Sequence, residues 1–158
     1  MKIAVITVGK KHDETLVGAI AEYEKRVKGS GHSLEWIFII PEAIKKDGEI
    51  SRAISTEGEK IIAHIETGDF VITLDEHGKE KTTVALAETL QSRIQEGYKR
   101  MVFIIGGAYG LDKSVLTKAN LMLSLSQLTF PHQLVRLILT EQIYRVLSVM
   151  GGGKYHHE

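Results

Sequence analysis

The sequence predicts an open α/β fold, a parallel sheet covered by helices on both faces. Three observations carry this expectation. Five compact apolar runs rich in Val, Ile, Leu and Phe recur along the chain, and each is followed by a segment whose apolar residues fall at helical spacing. Strands and helices that alternate along almost the whole chain are the pattern of parallel βαβ units. The length of 158 residues, with 43% apolar and 25% charged side chains, is that of one ordinary globular domain spanning residues 1–158.

Each element follows from local sequence. Residues 3–8 form a β-rich run closed by Gly9, and a helix from about Asp13 to Lys28 places Leu16, Ala19, Ile20, Tyr23 and Val27 on one face before Gly29-Ser30-Gly31 stops it. A second strand, 34–40, ends at Pro41, and Glu42 to Asp47 is a polar loop. A helix over 48–66 presents Ile50, Ile54, Ile61, Ile62 and Ile65, with Gly58 weakening it by ~1 kcal/mol relative to Ala. The third strand is 70–75, followed by a turn at Glu76-His77-Gly78-Lys79. Thr82 or Thr83 caps a helix through Gln95, and Gly97 ends it. The fourth strand is 101–105, Asp112 caps a short helix to Ala119, and 121–125 is the fifth strand. The last helix runs from His132 to Met150 and is apolar nearly all round, which places it in a core or a subunit interface.

Composition narrows the function. Twenty basic and twenty acidic side chains leave no net charge, which argues against gripping naked nucleic acid by bulk charge but leaves room for a local basic patch. The absence of cysteine removes disulfides, thiol nucleophiles and Cys-ligated metals. The apolar stretch at 3–8 is too short for a secretory signal, and nothing approaches the ~20 apolar residues that cross a bilayer. A cytoplasmic protein without membrane contact is expected.

Chemistry concentrates in the last third. The turn Gly106-Gly107-Ala108-Tyr109-Gly110 follows a strand, where glycines let a ligand approach the backbone and permit positive φ. A tight βα turn with no ligand is the plain alternative. It is neither a phosphate-binding P-loop, lacking Gly-Lys-Ser/Thr, nor a dinucleotide fingerprint. Asp75 and Glu76 end the third strand at the same sheet edge, either as solvated turn carboxylates or as a pocket wall. His132 follows Pro131 at a strand-to-helix corner, and Arg136 lies one turn on, so both could face one site. Glu141 and Arg145 are spaced for an ion pair. The tail Tyr155-His156-His157 offers two adjacent histidines and no third ligand, so no metal site is expected.

Taken together, GGAYGL after a strand, LSLSQLTFPHQLVRLILTEQIYR and the terminal YHH resemble the RlmH proteins, the small large-subunit ribosomal RNA methyltransferases of the SPOUT superfamily. The resemblance runs from Met1 to Glu158 and is densest after Val102. It implies an α/β fold with a C-terminal trefoil knot, a homodimer, and transfer of a methyl group from S-adenosyl-L-methionine to ring N3 of a pseudouridine in 23S ribosomal RNA. The acceptor would lie in a stem-loop at the subunit interface of the assembled ribosome. By motif, the cofactor would lie against Leu74, Gly106 and the backbone of Leu125, Ser126, Gln127, Leu128, Thr129 and Phe130, while His132, Arg145 and Tyr155 would belong to a composite active site. One departure is His157, which stands where the family tail commonly carries Arg or Lys. The rival readings are a cofactor-binding assembly module without turnover and an unrelated nucleotide-binding α/β protein.

Overall fold

The computed structural model describes residues 1–153, the side chain of Asp47 aside, and Tyr155. Five strands form one sheet: β1 Lys2–Val8, β2 Ser33–Ile39, β3 Asp69–Glu80, β4 Arg100–Ile105 and β5 Leu121–Ser124. Their order is β2-β1-β4-β3-β5, and every pairing is parallel. Five α-helices connect or follow them: α1 Val17–Gly29, α2 Ile50–Ile62, α3 Thr83–Gln95, α4 Lys113–Lys118 and α5 His132–Met150.

The strands are apolar on both faces because both faces are covered. Ile3, Val5, Phe70, Ile72 and Phe103 point toward Val27 of α1, Leu86 and Leu90 of α3, and Leu139, Ile143 and Val146 of α5. The alternate residues Ala4, Ile6, Val71, Val102 and Ile104 meet Ile61 of α2 and Val115 of α4. α5 packs against both α1 and α3 on the first face, so most of its apolar circumference is covered within one chain. No helix of the described residues is long and apolar enough to cross a membrane.

The α/β architecture, the bounds of α5 and the caps at Thr82 and Asp112 match the sequence reading. Thr82 accepts from the Ala85 N–H and Asp112 from the Ser114 N–H. Three elements differ. α1 begins at Val17 because Asp13 folds back on the Thr15 N–H and makes a turn before the helix. The helix read over 48–66 is a 3-10 turn, Asp47–Glu49, followed by the shorter α2. Gly58 there is buried, and a Cβ on it would come within 2.8 Å of the Asp112 Cβ, so the glycine admits α4 rather than merely weakening the helix. The turn read at 76–79 is an excursion inside β3, not its end.

This topology sets the site. After β4 the chain crosses back over β3 to reach β5. The carboxyl ends of β4, β3 and β5 are therefore neighbours, and three turns converge where connections change direction. Open α/β sheets bind ligands at such crevices.

Candidate active site at the carboxyl edge of the sheet

The three turns enclose a cavity of about 760 Å³, within the size range of small-molecule sites. The first wall is the excursion of β3. Leu74 and Lys79 both pair with Leu123 of β5, so residues 75–78 leave the ladder and rejoin it at the same partner. Gly78 makes the return possible, since a Cβ there would sit 2.7 Å from the Met122 carbonyl carbon. Asp75 Oδ1 accepts from the His77 N–H at 2.8 Å and lies 3.0 Å from His77 Nδ1. Thr129 Oγ1 donates to Glu76 Oε2 at 3.3 Å and ties this wall to the third.

The second wall is the glycine turn. Gly110, at φ +82°, takes the left-handed conformation, and its N–H bonds the Gly107 carbonyl at 3.1 Å. Gly106 does not have positive φ. Its requirement is space, because a Cβ would lie 3.0 Å from the Gly110 carbonyl and 3.1 Å from Leu111 Cγ.

The third wall is the segment between β5 and α5. Ser124 Oγ donates to the Ser126 carbonyl at 2.9 Å, and Ser126 Oγ accepts from the Leu128 N–H at 3.0 Å. Pro131 caps the helix, and His132 and Val135 of its first turn complete the lining.

Of the residues singled out by sequence, Leu74, Gly106, Leu125, Ser126, Leu128, Thr129, Phe130 and His132 line this cavity. Gln127 is exposed and outside the wall, at the tip of the loop its neighbours form. Asp75 and Glu76 are wall residues, as are His77, Tyr109 and Leu111, which sequence reasoning did not single out. Among the described residues the lining holds two carboxylates and two imidazoles and no Lys or Arg. Burial, and then the nearby Arg136 charge, hold the His132 imidazole below its ordinary pKa.

Arg145 and Tyr155 are not brought to this cavity. Arg145 is 13 residues beyond His132 on α5, about 20 Å at a rise of ~1.5 Å per residue. There Arg145 Nη2 bonds Glu141 Oε1 at 2.5 Å, and the guanidinium lies 4.8 Å from the centre of the Tyr155 ring. The Tyr155 hydroxyl donates to Glu141 Oε1 at 3.3 Å, and its ring packs 4.7 Å from that of Tyr144. Hydrogen bonding with Tyr23, burial and the Glu141 carboxylate push the Tyr155 phenol up to about 12. His156 and His157 lie outside the described residues. Among the described residues no group of three or more His, Cys, Asp or Glu side chains is placed to hold a metal.

Arg136 also departs from the sequence reading. It stands one turn from His132, but its guanidinium does not line the cavity and points inward, fully buried, to the backbone at the end of β1. Gly9 is the matching signal, because a Cβ there would overlap Arg136 Nη2.

A parallel sheet with a pocket at its carboxyl edge, walled by backbone, apolar side chains, two carboxylates and two imidazoles, defines an α/β protein with a crevice suited to a small molecule. The chain belongs to the SPOUT methyltransferase family that includes the RlmH proteins: the family model described as "Predicted SPOUT methyltransferase" matches residues 1–156. Members of that family generally use S-adenosyl-L-methionine. Among solved structures, the chain is similar in fold to a probable methylase family protein from Haemophilus influenzae Rd KW20. The two share a TM-score of 0.52 and 13% identity, over 99% of this chain and 70% of the other.

Proposed function

We propose that this methyltransferase transfers the methyl group of S-adenosyl-L-methionine to ring N3 of a pseudouridine in 23S ribosomal RNA within the assembled ribosome, as a homodimer. The observation that carries the cofactor assignment is the charge of the pocket. A cavity rimmed by Asp75 and Glu76 and, among the described residues, without Lys or Arg suits a sulfonium ligand better than a polyphosphate. That disfavours the nucleotide-binding alternative. Leu74, Leu125 and Phe130 offer apolar contact for an adenine, and the backbone of the glycine turn and of 125–130 offers donors and acceptors.

The bound cofactor supplies an electrophilic methyl group. The residues then have two tasks, alignment and proton removal. The walls at Gly106 and 125–130 fix the donor side. His132, whose imidazole burial holds below its ordinary pKa, would take the N3 proton on a ring nitrogen as the acceptor gains the methyl group. No enzyme nucleophile or metal is required for this displacement.

The distance from His132 to Arg145 supports the dimer, because a second copy can bring Arg145 and Tyr155 to a pocket that its own chain cannot. Leu134, Leu137, Ile138 and Tyr144 remain half-buried on α5 and are candidates for that contact. Ile143 is not, since it is 4% exposed in the core of one chain. The family's C-terminal knot and a cytoplasmic location belong to the same reading. Lys10, Lys11, Lys25, Arg26 and Lys28 are all exposed, the first two just after β1 and the last three at the far end of α1, where Arg26 reaches Tyr144 one residue before Arg145, so a chain without net charge carries basic groups at both ends of α1.

The test is tritiated methyl transfer to ribosomes, to isolated large subunits and to protein-free 23S RNA. The expected result is incorporation at one pseudouridine, fastest on ribosomes. Equal rates on protein-free RNA overturn the composite substrate, and cofactor binding without transfer to any of the three overturns the enzyme.

A further inference from the structure

Arg136 is the bulkiest fully buried side chain, with 0% exposure. Among the described residues no carboxylate pairs with it. Its guanidinium is held by neutral acceptors: Nη1 donates to the Lys11 carbonyl at 2.6 Å and to Gln133 Oε1 at 3.2 Å, and Nη2 to the Val8 carbonyl at 3.1 Å. Nε has no partner, and the group lies 5.6 Å from the centre of the Phe38 ring. Gln133 reinforces the attachment, accepting from the Asp13 N–H at 3.0 Å and donating to the Lys11 carbonyl at 3.1 Å. The first turn of α5 is thus clamped to the loop after β1. Gly9, at φ +139°, leaves the room the guanidinium fills.

Stability alone does not favour this arrangement. A buried charge without a counter-ion is costlier than a methionine of similar bulk. A charge kept there exerts its field on whatever lies nearby. One turn earlier on the same helix, His132 faces the cavity.

We propose that Arg136 is a positioning residue for methyl transfer: it locks the first turn of α5 to the loop after β1 and fixes a positive charge one helical turn from His132. This rests on the reading of His132 as the proton acceptor. The other charged or titratable groups around His132 are engaged elsewhere. Asp75 is turned onto His77 and Glu76 onto Thr129 on the β3 wall, while Lys11 pairs with Glu14 and Asp13 bonds Thr15 in the loop after β1. Tyr109 on the glycine turn is exposed. His12, in the loop after β1, packs on Trp36 and Phe38 and is itself held low by burial and then by Arg136. At His132, burial and then Arg136 disfavour the imidazolium.

The experiment is an NMR titration of the His132 imidazole, assigned with His132→Gln, in the full chain and in Arg136→Lys and Arg136→Gln. The wild-type midpoint is expected below the ordinary 6.5. Arg136→Lys keeps the charge and should leave the midpoint low, whereas Arg136→Gln keeps a donor, drops the charge and should raise it by about half a pH unit or more. The acid limb of the transfer rate on ribosomes should move up by the same amount in Arg136→Gln, with cofactor KM unchanged and lost turnover regained as pH rises. A wild-type midpoint at or above 6.5, or one that Arg136→Gln leaves in place, overturns the proposal. If neither Arg136→Gln nor Arg136→Met folds, the role is structural and the proposal also fails. The titration needs no RNA, so an expected titration with no transfer to ribosomes would count against the proposed substrate and not against Arg136.

Discussion

The two ends of α5 treat positive charge in opposite ways. Near its start, Arg136 is withdrawn from water and bonded to backbone carbonyls, with no carboxylate partner among the described residues. Near its end, the Arg145 side chain is 28% exposed, paired with Glu141 and stacked on Tyr155. The first cation is fixed, and its neighbours cannot be exchanged without moving the loop after β1. The second can trade one anion for another, because a surface ion pair is worth at most about 1 kcal/mol and a phosphate is a stronger acceptor. A single helix thus sets geometry at one end and offers contacts at the other, about 20 Å apart. That separation is why the proposed chemistry calls for two chains.

The sharpest way to break this contrast is to remove the contact-making end. Arg145→Ala and Tyr155→Ala are each expected to lower methyl transfer to ribosomes by about a hundredfold through lost alignment, while calorimetry shows cofactor affinity little changed. Normal transfer by either variant would mean that the amino-terminal end suffices alone. The reciprocal experiment attacks the pocket. In Gly106→Val the new side chain presses on the Gly110 carbonyl and Leu111, and cofactor affinity should fall at least tenfold, about 1.4 kcal/mol. Circular dichroism of the variant should remain that of the folded chain, and unchanged affinity would remove Gly106 from the site.

Association is the next distinction. Ile138→Glu places a charge on a half-buried position of α5 and should convert a two-chain light-scattering mass to one chain at micromolar concentration. Ile143→Glu, by contrast, buries an unpaired charge inside one chain and should cost several kcal/mol of stability in urea unfolding. A wild-type mass of one chain would refute the dimer outright.

The smallest expected effect concerns the tail. Raising the Tyr155 pKa above the ordinary 10.0 to about 12 means that the docked state favours the protonated phenol. Its contribution is whole below pH 10 and is lost as pH rises toward 12. Ultraviolet titration should show one of the five tyrosines ionising late, and Tyr155→Phe should abolish that late phase. If the late phase survives in Tyr155→Phe, the tail is not docked as described.

Much of this was legible in the sequence because it is local. Capping at Thr82 and Asp112 depends on residues two or three positions away, and the extent of α5 on Pro131 at its start and Gly151 at its end. The glycine wall and the loop after β5 also announce themselves in adjacent residues. What was hidden depends on partners distant in the chain. Glu76 to Lys79 reads as a turn because only β5, more than forty residues later, lets the strand resume. Arg136 reads as a companion of His132 because helical spacing says nothing of the carbonyls of Val8 and Lys11 that capture it. Gly58 reads as a weak point because the helix that presses on it comes more than fifty residues later. The remoteness of Arg145 from the pocket could have been read from helix rise alone, once α5 was taken as unbroken.

The excursion of β3 has a consequence for how such a pocket changes over evolutionary time. Leu123 pairs on both sides of residues 75–78, so the ladder closes beneath the excursion as though it were absent. Residues inserted or deleted at its crest would alter the mouth of the cavity without shifting either strand or any side chain of the core. The inward side of the same segment is far less forgiving, since Gly78 lies against the backbone of β5. Selection for a new acceptor therefore has one permissive margin to work on, bounded by a glycine whose replacement would press on the backbone of β5.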